Sequence, residues 1–431
     1  MSEGQDTAPA TPTFREAVRY WARLGCINFG GPAGQIALMH GDLVERRRWI
    51  GEQRFLHALN FCMLLPGPEA QQLATYVGWL LHGTRGALAA GLLFILPSVL
   101  VLWTLAAVYV TWGSLPLVAA ALAGIKPVVV AIVAEAVVRI GRRAFRHPLH
   151  YGFAAAAFVA LAVFAVPFPL VVAAAAVAGA LAGRFVAGFA PPAGSGPPGA
   201  AAADGRPPSA ARAGRQLALF AALWLAPLAL VAGPYGAVLP VGRDLYLFFT
   251  QAALVTFGGA YAVLAYVAQI AVASFGWLDA AQMIDGLALA ETTPGPLIMV
   301  LEFVGFLAGW NHPGALAPLA AATIGALTTV WVTFLPSFAF ILVGAPYVEA
   351  LRGRRGLASA LAGVTAAVVG VILNLAVVFG RAVFAPAGEL APIPVVVAAI
   401  ALLLLARLRL AAHWVVLCGA LAGLGLALAG L

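Results

Sequence analysis

The sequence predicts an all-α polytopic membrane protein made of two inverted-topology repeats with broken or re-entrant helices. Three observations carry that prediction. Of 431 residues, 63% are hydrophobic and 9% charged, against about 25% charged in a soluble domain, so the chain belongs in a bilayer. The segments Phe29-Gly30-Gly31, Trp49 and Pro66-Gly67-Pro68 recur 228 residues later as Phe257-Gly258-Gly259, Trp277 and Pro294-Gly295-Pro296. The charges do not recur with them, because Arg46-Arg47-Arg48 falls on Ser274-Phe275-Gly276. Basic loops stay in the cytoplasm, so halves that share a motif but not its arginines are expected to be inserted upside down relative to each other.

Residues 1–13 hold Glu3 and Asp6 and no basic residue, unlike the n-region of a signal peptide, and are expected to be a disordered cytoplasmic tail. The first repeat half is 14–189. Its segment 14–50 starts with Arg15, Arg19 and Arg23 on one helical face and ends on Arg46 to Arg48, so it reads as a hairpin from the cytoplasmic side. That arginine face serves as an interfacial anchor or in ion access. Segments 86–111 and 115–138 each exceed the roughly 20 residues that cross a bilayer, and Arg139, Arg142, Arg143 and Arg146 follow them. Two basic clusters on one side require an even number of crossings between them. Segment 55–82, broken by Pro66-Gly67-Pro68, must therefore return to the side it entered. Its arms of about 11 to 14 residues reach about 16 to 21 Å, near the midplane of a core about 30 Å thick. It is a re-entrant hairpin tipped by Pro-Gly-Pro.

Two short spans, 149–165 and 167–183, complete the first half. The linker 190–215 has six prolines, glycines and no apolar periodicity, which predicts a disordered cytoplasmic segment. The region 216–240 supplies a single crossing that turns the second half, 241–431, over. From Leu335-Pro336-Ser337, matching Leu96-Pro97-Ser98, the offset becomes 239. Arg352, Arg354 and Arg355 then occupy the loop equivalent to uncharged 112–115, and the four arginines at 139–146 reduce to Arg381. Spans 314–342, 356–379, 391–406 and 412–430 follow. The reading is about nine spanning helices plus four re-entrant hairpins, with the N-terminus cytoplasmic and the C-terminus periplasmic.

Non-helical backbone at membrane depth is tolerated only where protein or a water-filled cavity receives it. Each Pro-Gly-Pro is expected to start a half-helix near the midplane, with Pro68 and Pro296 at its first position and its free N–H groups toward an anion. Packing and kinks alone would also use Gly and Pro. The candidate oxyanion-binding residues are Asn28, Gly30, Gly31, Gly67, Pro68, Glu69, Gln71, Lys126, Gly258, Gly259, Thr293, Gly295 and Pro296. Lys126 is the chain's single lysine and lies inside an apolar span. It pairs internally with Glu69 or Glu302, or it contacts the anion. Glu69, Glu291 and Glu302 are the candidate proton-coupling carboxylates.

Arginine makes up 23 of the 24 basic residues and clusters at loops, so the net charge of +8 does not indicate nucleic-acid binding. Cys26, Cys62 and Cys418 are scattered, and the histidines offer only His147 with His150. No metal site, cofactor or disulfide framework is expected. With no nucleotide-binding loop or nucleophile–base set, neither is an enzyme.

The combination of Phe-Gly-Gly-Pro at 29–32, Pro-Gly-Pro-Glu at 66–69, Phe-Gly-Gly at 257–259 and Pro-Gly-Pro at 294–296 resembles the chromate ion transporter family in its long, two-half form. The resemblance spans 14–431. It implies chromate efflux across the bacterial inner membrane driven by the proton-motive force, with sulfate as a mimic. The partners implied are the oxyanion, protons and the lipid bilayer, with a homodimer left open. The second copy departs at Ala260, where Pro32 stands in the first, and at Leu297, where Glu69 stands. The alternatives are a carrier of sulfate or another oxyanion and, from a different class, a non-transporting membrane scaffold or lipid-handling protein.

Overall fold

The computed structural model describes residues 12–29, 31–189, 210–233, 236, 238–257, 260–344, 355–386 and 388–430. Among the described residues there are 16 α-helices and no strand. The first half contains α1 (Phe14–Ile27), α2 (Gly31–His40), α3 (Glu52–Cys62), α4 (Glu69–Trp112), α5 (Pro116–Ala144), α6 (Leu149–Ala162) and α7 (Phe168–Phe185). After α8 (Ala210–Ala232), the second contains α9 (Gly242–Leu254), α10 (Ala260–Gln269), α11 (Ala280–Thr292), α12 (Val300–Asn311), α13 (Pro318–Gly344), α14 (Arg355–Phe384), α15 (Pro392–Ala406) and α16 (Ala412–Leu428). π turns at Gly41–Arg46 and Ile270–Ser274 extend α2 and α10 at matching positions of the repeat. The α1 start is fixed by a capping box between Thr13 and Glu16. Those hydrogen bonds hold the exposed Glu16 carboxyl below its ordinary value.

The expected Pro-Gly-Pro hairpins are present. α3 runs to the first tip, and α4 leaves it but breaks at His82 (φ −140°, ψ 25°) and Gly83 (φ 59°, ψ −149°). The arms 69–81 and 84–112 then fold back on each other. A Cβ added at Gly78 would lie 2.6 Å from Ala90 Cβ, so only glycine lets the two backbones approach this closely. In the second half the same packing joins α12 to α13, where a Cβ on Gly305 would lie 2.6 Å from the Gly325 carbonyl oxygen. Gly325 is the equivalent of Gly86, and a turn over 312–317 replaces the break in α4.

The halves also exchange their outer helices. α15 and α16 of the second half pack on α5 of the first, while α6 and α7 of the first pack on α14, the equivalent of α5. Small residues make both contacts: Gly124 meets Gly419 and Gly423, and Gly179 meets Gly363. Each long helix is thus clasped by the terminal pair of the opposite half.

Among the described residues six helices, α4, α5, α7, α8, α13 and α14, are long and apolar enough to cross a membrane by length and composition. Three expected spans come out shorter, as α6, α15 and α16 with 14, 15 and 17 residues. At 1.5 Å per residue they reach about 21 to 26 Å, which thinner local bilayer or flanking loops must complete. α8 begins at Ala210, inside the stretch expected to be linker, and the remainder of that stretch, 190–209, lies outside the described residues. Leu217, Leu219, Leu225 and Leu230 of α8 are exposed, as a lipid-facing helix requires.

The arginine asymmetry has a structural counterpart. In the first half Arg47 sits 5.0 Å from the centre of the Trp49 ring and 5.1 Å from that of Tyr20, with Tyr20 edge-on to Trp49 at 5.4 Å. At the matching positions of the second half, Phe275 stacks on Trp277 at 4.2 Å, and Phe248 meets Trp277 edge-on at 5.8 Å. A ring replaces a guanidinium over the equivalent tryptophan.

Candidate functional site

The site is built from the two tips. Gly67 (φ 124°) and Gly295 (φ 131°) take backbone conformations that only glycine adopts without strain. The prolines stand one position earlier than expected: Pro68 is the N-cap of α4, and Pro296 the N-cap of a 3₁₀ turn, Leu297–Met299, that leads into α12. Gly67 N–H donates to the Thr256 carbonyl at 2.8 Å, and Gly295 N–H donates to the Asn28 carbonyl at 3.3 Å. Asn28 and Thr256 are equivalent residues, each just before its half's Phe-Gly-Gly. Each tip is therefore tied to the broken segment of the other half. The two glycine N–H groups are committed to these exchanged bonds. The N–H groups just beyond each proline are the ones its half-helix leaves without an intrahelical acceptor.

Each tip also rests on the other half's Leu-Pro-Ser. A Cβ on Gly67 would lie 2.8 Å from Ser337 Oγ, and one on Gly295 would lie 2.5 Å from Ser98 Cβ, so no side chain fits at either position. Gln35, buried on α2, adds a brace that has no counterpart: its Nε2 donates to the Asn28 carbonyl at 2.8 Å and to the Gly295 carbonyl at 2.6 Å. Its equivalent in the second half is Val263.

Between the tips lies a constricted cavity of about 10 Å³, room for about one water. Its walls come in repeat-related pairs, Pro68 with Pro296, Pro32 with Ala260 and Glu69 with Leu297, joined by Gln35. The site thus has pseudo-two-fold backbone and unequal side chains.

A family model for chromate transporters matches residues 15–180 and 243–424, one stretch in each half. The chain belongs to the chromate transporter family. Over 379 residues it is 30% identical to a chromate transport protein of Cupriavidus metallidurans, covering 87% of this chain and 84% of that protein. It is 29% identical to a probable chromate transport protein of Synechococcus elongatus (86% and 85% covered) and 30% identical to a chromate transport protein of Pseudomonas aeruginosa (85% and 81% covered). No solved structure matches the chain.

In this transporter-family chain, Gly30, Gly258 and Gly259 lie outside the described residues. Gly31 opens α2 with φ 71°. Asn28 is fully buried beside the tips, and its Oδ1 has no hydrogen-bond partner. Gln71 is also buried, but its Nε2 is turned along α4 to Thr75 Oγ1 at 3.1 Å. Thr293 Oγ1 donates back to the Leu289 carbonyl. Among the carboxylates only Glu69 lines the tip cavity. Glu291 lies three residues before the second tip and accepts from the Tyr261 hydroxyl at 2.6 Å. Glu302 is 1% exposed on α12, and neither of its oxygens has a hydrogen-bond partner.

Lys126 is not at the tips, and its partner is neither Glu69 nor Glu302. Its Nζ lies 3.5 Å from Asp285 Oδ2 on α11, and that oxygen also accepts from the Tyr109 hydroxyl at 3.0 Å. The pair lines a separate cavity of about 330 Å³ beside the turn between α4 and α5. Sequence reading missed Asp285, Gln35 and Tyr261. Asp285 did carry a signal, as an acid inside the apolar run 280–292.

Proposed function

We propose that the chain is a secondary transporter that exports chromate across the bacterial inner membrane, driven by the proton-motive force, with the tip cavity as its central oxyanion site. The observation that carries this reading is the reciprocal pair of bonds, Gly67 to Thr256 and Gly295 to Asn28. They set the starts of two half-helices from opposite halves around one cavity, and helix starts attract anions through unpaired N–H groups and the macrodipole. A scaffold would not need this arrangement. The family and its named chromate transport relatives support chromate as the ion.

The cavity is too small for a tetrahedral dianion, so the closed tips must part to admit one. Because each tip is held by the opposite half, moving the halves against each other opens the site toward one side at a time. The unpartnered carboxyl of Glu302 and the cavity-lining carboxyl of Glu69 are the groups whose protons exchange against the ion. The arginine loops support an N-terminus in the cytoplasm and a C-terminus outside it.

The test is flux of radiolabelled chromate and sulfate in proteoliposomes, with and without an imposed pH gradient. The expected result is chromate movement that the gradient accelerates and excess sulfate slows. Flux of neither ion would sink the reading, and flux indifferent to the gradient would remove its proton coupling.

A further inference from the structure

We propose that the cavity beside Lys126 is a second, outer oxyanion site, in which the dianion competes with Asp285 for the Lys126 ammonium. The proposal rests on the oxyanion-transport reading above and adds a site to it. About 330 Å³ admits a tetrahedral oxyanion with part of its hydration shell, which the tip cavity does not. The cation faces that space and the carboxylate stands behind it, since the Lys126 side chain is 28% exposed and that of Asp285 4%.

Their separation of 3.5 Å exceeds the 2.7–2.9 Å of a strong charge-assisted bond, so the ammonium is only loosely held. Asp285 has a second donor in Tyr109, which keeps Oδ2 satisfied when the ammonium turns toward an anion. Its other oxygen, Oδ1, is buried without a partner. A fully committed structural ion pair would not leave that atom unsatisfied.

The remaining lining suits an oxyanion. Gln282 Oε1 is fixed by a capping box to the Asp279 N–H at 2.9 Å, which leaves the amide nitrogen as its donor. Ser114 and Trp310 bring further polar hydrogens. Lys126 is the cation of this lining, and Asp285, with Asp279 at the start of α11, opposes it. Opposition of that kind gives capture that is easily reversed, as a staging site requires. The cavity also lies at the open end of the α11–α12 hairpin whose tip is Pro294–Pro296.

Equilibrium dialysis of the detergent-purified full chain against radiolabelled chromate and sulfate tests this. Gly295→Val closes the central site and should leave one bound ion. In that background Lys126→Gln should weaken binding at least about tenfold, and Asp285→Asn should tighten it by about tenfold. Ser114→Trp, at an exposed turn position, should block the mouth while leaving both charges in place. Binding that Lys126→Gln and Ser114→Trp leave unchanged, or that Asp285→Asn weakens, overturns the outer site. Wild-type binding abolished by Gly295→Val alone also overturns it while sparing the central site. No binding in either protein overturns the oxyanion reading itself.

Discussion

Around Trp49 and around Trp277 the protein builds one aromatic corner from two chemistries. The first covers its tryptophan with Arg47, the second with Phe275, and in both a ring from the first helix of that half, Tyr20 on α1 or Phe248 on α9, closes the corner edge-on. The tips repeat the lesson. Their glycine geometry and exchanged hydrogen bonds are matched, whereas Glu69 faces Leu297, Pro32 faces Ala260, and Gln35 corresponds to Val263. Backbone and packing are conserved between the halves because the fold needs both copies. Charge is free to differ, because neither the aromatic corner nor the exchanged tip bonds depend on it.

The largest effect should come from what the halves share. Gly67→Val and Gly295→Val each force a β-branched side chain into positive φ and against Ser337 or Ser98. Each should lower central-site affinity for chromate by about a hundredfold or more, measured on folded protein after the outer site is blocked by Ser114→Trp. A silent change at one glycine would show that the two tips are not equivalent.

Next in size are the carboxylates, which the halves do not share. Glu302→Gln removes a buried carboxyl that no donor satisfies, so the variant should fold and transport but lose most of its response to a pH gradient. Glu69→Gln should shift the pH dependence of binding. Leu297→Glu gives the second tip the same carboxylate and should weaken dianion binding by about tenfold through like-charge repulsion. If Leu297→Glu binds as tightly as wild type, the tip cavity does not hold the anion.

The repeat, the hairpins and the inverted charge pattern were legible because each leaves a local trace: glycine and proline where backbone must turn, and arginines counted loop by loop. Partnerships between distant segments leave none. Lys126 announced that it needed a partner, but whether α5 meets α4, α11 or α12 there depends on how the halves clasp, and Asp285 answers only in three dimensions. Gln35 was invisible for the opposite reason. The repeat places Val263 opposite it, so comparison of the halves gave no motif. The exchanged glycine bonds could not be foreseen either, because each joins residues from opposite halves.

Gln35→Val makes the first half resemble the second at that brace. It strips a donor from the buried carbonyls of Asn28 and Gly295, which should cost about 1 to 3 kcal/mol of stability. Thermal unfolding in detergent measures it. A larger loss than for Asn28→Ala would identify the brace, rather than the neighbouring amide, as what holds the second tip.

The smallest effect tests the corner itself. Arg47→Phe exchanges a cation over Trp49 for the ring that Trp277 already carries in the other half, so packing is kept and a contact of about 0.5–1 kcal/mol is replaced by a comparable one. Melting should barely move. Arg46 and Arg48 remain to hold the loop in the cytoplasm, so cysteines introduced at positions 114 and 353 should still label from opposite sides of the membrane. The triple replacement Arg46→Ser, Arg47→Phe, Arg48→Gly copies the second half's sequence there and removes the local signal for orientation. It should yield a mixture of insertions while the correctly inserted fraction melts as wild type. If that fraction melts much lower, the arginines hold the fold together as well as orienting it, and the separation of charge from packing fails at this corner.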